Sequence, residues 1–361
     1  MARIVLASWV VLVVLVGLAV PAWAEGPVET GLEYLATQQR ADGGFTNGFS
    51  EGSDLGTTCD VILAIVAGGQ DASTWRSDGG NSPLDYLYAQ VAGGTVNTVG
   101  LQAKVVLALL ATGQDPAAFA GSNLVAALSA AYDDDAHKFG ETIFDHALAM
   151  LALADAGQPV PDQAVQYLLD NQRKDGAWAL FGGAEAASDT NTTALAVQAL
   201  LAAGHHDGVD GALVYLHQMQ NDDGGFPYQN PSDYGTDTDA NSTAVVLQAL
   251  LAAGEPLSDW SPEGKSPLDA LNALYDSDSG AFLWQAAVPG PNVLATAQAI
   301  PALAGYTFVK LPHVEAATAP GPAVAPAGTS LPASGGVAVL PVGLIALGVA
   351  ALGTGFTLRR R

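Results

Sequence analysis

A unit of about 45 residues recurs six times along this chain, and a repeat of that length settles the architecture before any single residue is weighed. Three copies align without a gap: Tyr34-Leu35, Gln39 and Asp42-Gly43-Gly44-Phe45; Tyr167-Leu168, Gln172 and Asp175-Gly176-Ala177-Trp178; Tyr215-Leu216, Gln220 and Asp223-Gly224-Gly225-Phe226. The shared pattern is Y-L-x-x-x-Q-x-x-D-G-x-aromatic. Each copy is followed by a run rich in Ala, Leu and Val that closes on a glycine. The closing glycines are Gly69, Gly113, Gly157, Gly204, Gly254 and Gly305, spaced by 44, 44, 47, 50 and 51 residues.

Two kinds of helix alternate within the unit. The first is amphipathic, with Tyr34, Leu35 and Gln38, or Tyr215, Leu216 and Met219, at helical spacing. The second, over 193–204 or 243–254, is apolar nearly all round and built from small residues, so it must be buried on almost every side. A ring of buried inner helices inside a ring of amphipathic outer helices satisfies both patterns, and six pairs suffice to close it. No alternating β-branched run calls for a sheet. Residues 25–311 therefore read as one all-α domain, an α/α toroid of six helical hairpins.

Charge excludes several partners. The 361 residues include 36 acidic and 12 basic side chains, a formal net charge of −24. Phosphate binding needs clustered Lys and Arg, so a nucleic-acid partner is excluded as the default, and anionic membrane surfaces are disfavoured for the same reason. The lone Cys59 rules out an intrachain disulfide, a four-cysteine zinc site and a CxxC redox pair.

The two ends speak to location. Residues 1–24 pass from Arg3 through an apolar stretch to Pro21 and finish Ala22-Trp23-Ala24, the order of a secretory signal peptide. Residues 312–330, rich in Ala and Pro, read as an extended linker. Residues 331–361 begin Leu331-Pro332-Ala333-Ser334-Gly335, continue in an apolar run long enough for a single transmembrane helix, and end Arg359-Arg360-Arg361, which should stay in the cytoplasm. This tail resembles the cell-wall sorting signal read by sortases, whose pattern is Leu-Pro-x-Thr-Gly, with Ser334 in place of Thr. The alternative is a plain membrane anchor. Both place the folded domain outside the cell, on a stalk at the cell surface.

The repeat pattern itself resembles the QW repeat of squalene and terpene cyclases. The six-hairpin plan is similar to the α/α toroid shared by those cyclases, protein prenyltransferase β subunits, complement-type thioester domains and cobalamin-carrying proteins. We assign the Gln and the aromatic of the motif to tying an outer helix to its neighbour. For chemistry, the resemblance to cyclases implies a general acid at the middle Asp of a D-x-D-D motif. The nearest match, Asp237-Thr238-Asp239-Ala240, puts Asp239 at the acid and Ala240 where the last Asp belongs. Residues 239–243 also superpose on 189–193 and less fully on 54–58, a recurrence that suits an inner-helix cap accepting backbone N–H bonds. The zinc site of prenyltransferases needs a Cys, and Cys59 lies in an apolar helical run. The thioester stretch Cys-Gly-Glu-Gln is not matched by Cys59-Asp60-Val61-Ile62.

In such a toroid the inner-helix N-termini converge on a concave mouth. It gathers Asp54, Asp145, His146, Asp189, Asn191, Asp237, Asp239 and Asn241, with Trp178, Phe226, Tyr228 and Trp284 near the loops, a polar ring over an apolar cavity. The function expected is binding of a large, partly apolar ligand, corrinoid or isoprenoid-like, in the toroid cavity. The alternatives are a cyclase-like isomerase with Asp239 as general acid and a structural or adhesive surface head. No cofactor and no metal is expected. The anchor reading has a direct test: replacing Leu331 and Pro332 by Ala shifts protein from the wall fraction to the membrane fraction if a sortase reads the tail. Wall-bound protein unchanged in the double variant contradicts the sorting reading.

Overall fold

A computed structural model describes residues 25–49, 51–183, 186–232 and 235–311. The segments read from the sequence as a signal peptide (1–24), a linker (312–330) and a sorting signal with a transmembrane helix (331–361, Leu331 to Gly335 included) lie outside the described residues. No described helix is long and apolar enough to cross a membrane.

Twelve α-helices among the described residues form six hairpins, each an outer helix followed by an inner one. They are α1 (Glu25–Gln38) with α2 (Leu55–Ala67), α3 (Pro83–Ala92) with α4 (Val99–Ala111), α5 (Leu124–Ala130) with α6 (Ile143–Asp155), α7 (Asp162–Asp170) with α8 (Thr190–Ala202), α9 (Val209–Met219) with α10 (Ala240–Ala253), and α11 (Pro267–Ala273) with α12 (Val293–Leu303). Each inner helix packs on the inner helices before and after it, and α12 packs back on α2, which closes the ring. The outer helices clasp it from outside. Burial follows the sequence pattern: α8 is buried continuously from Thr190 to Leu200, whereas α7 buries only Ala164, Val165 and Leu168. Small side chains let the inner helices approach closely.

One joint, repeated around the ring, sets where each inner helix begins. Its N-cap residue, in turn Asp54, Thr98, Thr142, Asp189, Asp239 and Asn292, accepts the backbone N–H three residues on at 2.7 to 3.3 Å. This satisfies a donor that the first helical turn leaves unpaired. Four residues after the cap, Thr58, Thr193, Thr243 and Thr296 accept the backbone N–H of the repeat aromatic, Phe45, Trp178, Phe226 and Phe282, at 2.9 to 3.0 Å. Each of those aromatic side chains is wholly buried. In the third hairpin His146 takes the place of the threonine, and its Nδ1 accepts the N–H of Phe139 at 3.0 Å.

The motif glutamine bridges neighbouring hairpins. Gln172 Nε2 donates to the Gly176 carbonyl of its own turn at 2.7 Å and to the Gly208 carbonyl before α9 at 2.6 Å. Gln220 repeats this on Gly224 and Trp260, and Gln39 on Gly43 and Asn81. The turn admits only glycine at its tightest point. Gly176 holds φ at 87°, and a Cβ there would collide with the Gly211 carbonyl of the next outer helix. The six closing glycines all adopt positive φ, from 68° to 79°, as helix-ending residues do.

Strands appear where none were expected. β1 (Tyr132–Asp133) pairs with β2 (Lys138–Phe139), and β4 (Ala281–Gln285) pairs with β3 (Tyr275–Asp276) and β5 (Val288–Pro291). These hairpins stand where the third and sixth units lack the Asp-Gly turn, and they deliver Phe139 and Phe282 to the position that Trp178 holds elsewhere. Ladders this short show no alternation in the sequence.

The joint predicts a specific stability loss. Thr193→Val removes the acceptor of a buried N–H and should cost about 1–3 kcal/mol, while Thr193→Ser, which keeps the hydroxyl, should cost less. Denaturant unfolding of the two variants checks it.

Candidate functional site

The caps index the interior. Counted six residues on from its cap, each inner helix presents one side chain to a central cavity: Asp60, Lys104, Leu148, Leu195, Val245 and Gln298. Phe144 and Asn191, two residues after their caps, lie nearer the mouth; Leu63, Gln248 and Pro301, nine after theirs, lie deeper. The floor is a strap of chain. After α12 the segment 306–311 turns under the ring, adding Tyr306, Thr307, Phe308 and Leu311 to the lining, and the N–H of Phe308 donates to Gln198 Oε1 on α8 at 2.9 Å. The cavity measures about 50 Å³, room for on the order of four water molecules.

Its two halves differ. On one side a hydrogen-bonded chain crosses four helices: Asn241 Nδ2 donates to Gln298 Oε1 (2.8 Å), Gln298 Nε2 to Asp60 Oδ2 (3.2 Å), and Lys104 Nζ to Asp60 Oδ1 (2.9 Å) and Oδ2 (2.8 Å). Burial works to lower the Lys104 pKa, but the charge and hydrogen bond of Asp60 outweigh it and leave it above its ordinary value, so the ammonium persists at neutral pH. Facing this chain are Phe144, Leu148, Leu195 and Val245. Above the ion pair the mouth-side position of α2 is Gly56, whose missing side chain leaves space 3.8 Å from Lys104 Nζ.

Of the residues marked in the sequence, Asn191 lines this lumen and Asn241 joins its polar chain. The others stand elsewhere. Asp189 and Asp239 are buried caps, and both oxygens of Asp239 are engaged by Ser242, through its N–H at 2.7 Å and its hydroxyl at 2.8 Å. Burial raises the pKa of Asp189 to about 7 and that of Asp239 to about 6, against the hydrogen bonds that favour ionisation. Tyr228 stands beside Asp189, and burial, with that carboxylate, raises its phenol pKa. Asp145 is half-buried against Gly100, where any Cβ would strike its carboxylate, and burial raises its pKa.

His146 faces away from the lumen, between the rings of Phe139 and Tyr167, with Nε2 bonded to the Ala164 carbonyl at 2.9 Å. Burial pulls its pKa down to about 4, so it is neutral. Trp178 is a core residue whose indole N–H donates to the Leu168 carbonyl at 2.7 Å. Trp284 is half-buried on β4, and Asp237 is exposed.

Asp60, Lys104, Gln248 and Gln298 were not singled out from the sequence. A signal for two of them was present: Asp60 and Lys104 are 44 residues apart, the same interval as Gly69 and Gly113, so they occupy one register of adjacent units.

Residues 125–270 match the family model of the squalene-hopene cyclase C-terminal domain. No curated protein matches the chain. Among solved structures, the type II terpene cyclase MstE from Scytonema superposes with a TM-score of 0.56 at 13% identity, over 78% of this chain and 97% of that one. A protein from Actinoplanes gives 0.55 at 16% identity, over 78% and 99%. Haptocorrin in complex with Cbi gives 0.51 at 15%, over 81% and 69%. At such identities these likenesses show the fold, an α/α toroid of the cyclase and prenyltransferase type.

Asp189 makes stability depend on pH. An unfolded Asp titrates near 3.9, the folded one near 7. Between those values the folded state keeps a proton that the unfolded state has lost, so this residue's contribution to stability falls as pH rises through the window. Asp189→Asn keeps the cap and removes the titration. Its melting temperature should therefore gain on that of the wild type as pH goes from about 4 to about 7, read by thermal unfolding across that range; a constant difference contradicts the assignment.

Proposed function

We propose that this protein is a cell-surface binding protein whose toroid lumen takes a small, partly apolar ligand through the mouth at the inner-helix N-termini. One observation carries the reading. In a single register of the ring, three consecutive helices (α12, α2, α4) supply Gln298, Asp60 and Lys104, and the other three supply Leu148, Leu195 and Val245. A centre that served only to hold the ring together would be packed with apolar side chains to crystal-like density. This one keeps a charged pair beside open space.

Two toroids of similar fold support it, haptocorrin in complex with Cbi and an MstE variant in complex with geranylgeranyl dihydroxybenzoate. Drug-sized ligands occupy pockets of several hundred Å³. A lumen of this size suits a small ligand better than the large one expected from the sequence. The surface address rests on the two ends of the chain: the signal-peptide pattern of 1–24, and a tail, 331–361, that a sortase or a membrane helix would hold.

A second reading, a structural or adhesive head, is favoured by the internal satisfaction of the polar chain from Asn241 to Lys104. The cyclase reading has less to stand on, because Asp239 is a cap with both oxygens engaged and lies off the lumen wall. Thermal unfolding of the full-length protein with a panel of small, partly apolar solutes tests the choice. At least one solute should raise the melting temperature of the wild type and fail to raise that of Val245→Phe, which fills the lumen. Identical responses of the two proteins to every solute favour the structural head.

A further inference from the structure

The lumen holds one negative and one positive side chain in contact, so the charges of its wall cancel. A ligand of net charge would bring an uncompensated charge into a site where Asp60 and Lys104 keep only 8% and 19% of their side-chain surface exposed, and that is costly. The pair nonetheless keeps unused hydrogen-bonding capacity. An ammonium has three N–H groups, and Lys104 gives two bonds, both to Asp60. Asp60 accepts one bond at Oδ1 and two at Oδ2, out of about four lone-pair sites on a carboxylate. One donor and one acceptor are left side by side.

Two further groups on the wall are open. Gln248 is 7% exposed and lines the lumen, and its side-chain amide makes no hydrogen bond among the described residues. Asn191, 2% exposed, has its Oδ1 engaged by Thr190 at 3.3 Å, and its Nδ2 makes no described bond. Neither amide is sealed away without a partner, so both are free to meet a polar group placed in the lumen. Opposite lie Phe144, Leu148, Leu195 and Val245, a surface for an aliphatic group. Four waters occupy about 120 Å³ at their liquid volume, the size of a small aliphatic amino acid.

We propose that the ligand is a small zwitterion with a short aliphatic side chain, its carboxylate on Lys104 and the lumen amides, its ammonium on Asp60, and its side chain against Leu148, Leu195 and Val245. This deepens the binding reading and rests on it. The wall pair and the ligand then form a four-charge cycle with no net charge, in which each charge touches two of opposite sign.

Calorimetric titration of the full-length protein tests the class with four probes that share an isobutyl framework: L-valine, isobutylamine, 3-methylbutanoate and 3-methylbutanamide. L-valine should bind about tenfold or more tightly than any of the other three, each of which lacks at least one charge. Removing a single partner of the pair strands the other, so the informative variant is the double substitution Asp60→Leu and Lys104→Met, which removes both charges together. It should fold, as read by circular dichroism, and lose L-valine binding by the same factor. Equal or tighter binding of a singly charged or uncharged probe overturns the zwitterion and leaves a small-ligand lumen standing, as does L-valine binding unchanged in the double variant. If none of the four binds while another solute distinguishes the wild type from Val245→Phe, the zwitterion falls alone. If no solute distinguishes those two proteins, the binding reading falls with it.

Discussion

Everything in this ring depends on how the backbone enters each inner helix. The chain arrives from outside, buries an aromatic side chain, and must then start a helix that is enclosed on nearly every side. Both the N–H of that aromatic and the first free N–H groups of the helix are out of reach of water there. One short segment resolves both, with a cap for the helix and, four residues on, a hydroxyl or imidazole for the aromatic. Since the joint recurs in nearly every hairpin, the inner helices begin at a common level, and residues at equal distance from their caps form layers. The lumen is one such layer.

That geometry explains why charge is tolerated at the centre of an apolar bundle. Asp60 and Lys104 hold the same register on neighbouring helices, so they meet without distortion, and Gln298 extends the chain from the next helix round. A lone carboxylate in that layer would be stranded; adjacent registers make a pair available. The same logic separates Asp189 and Asp239 from the lumen: as caps each spends one oxygen on a backbone N–H, and burial drives them towards the protonated form.

The fold was largely legible because it is periodic. Closing glycines, motif glutamines and buried aromatics each announced a structural part, and each took it up. The two small sheets were not visible, since strands of two to five residues carry too little alternation to read. The site was harder to read. Trp178, His146 and Asp239 drew notice as residue types that do chemistry, yet here they seal the joints between helices. Asp60 and Lys104 stand within apolar runs and belong to no motif. What identifies them is register rather than type: stacking the units on their caps, instead of scanning for motifs, puts both on the lumen wall. Gln248 recurs with Gln198 nine residues after the cap in aligned runs, yet only the closed ring reveals that Gln248 lines the lumen while Gln198 accepts the N–H of Phe308.

The strap beneath the lumen ends on a buried anchor: Leu311, the last described residue, is 7% exposed and lines the floor. Because Phe308 on this segment bonds Gln198 of α8, the strap ties the end of the sixth hairpin to the fourth, and the ring is braced across its floor as well as closed edge to edge from α12 to α2.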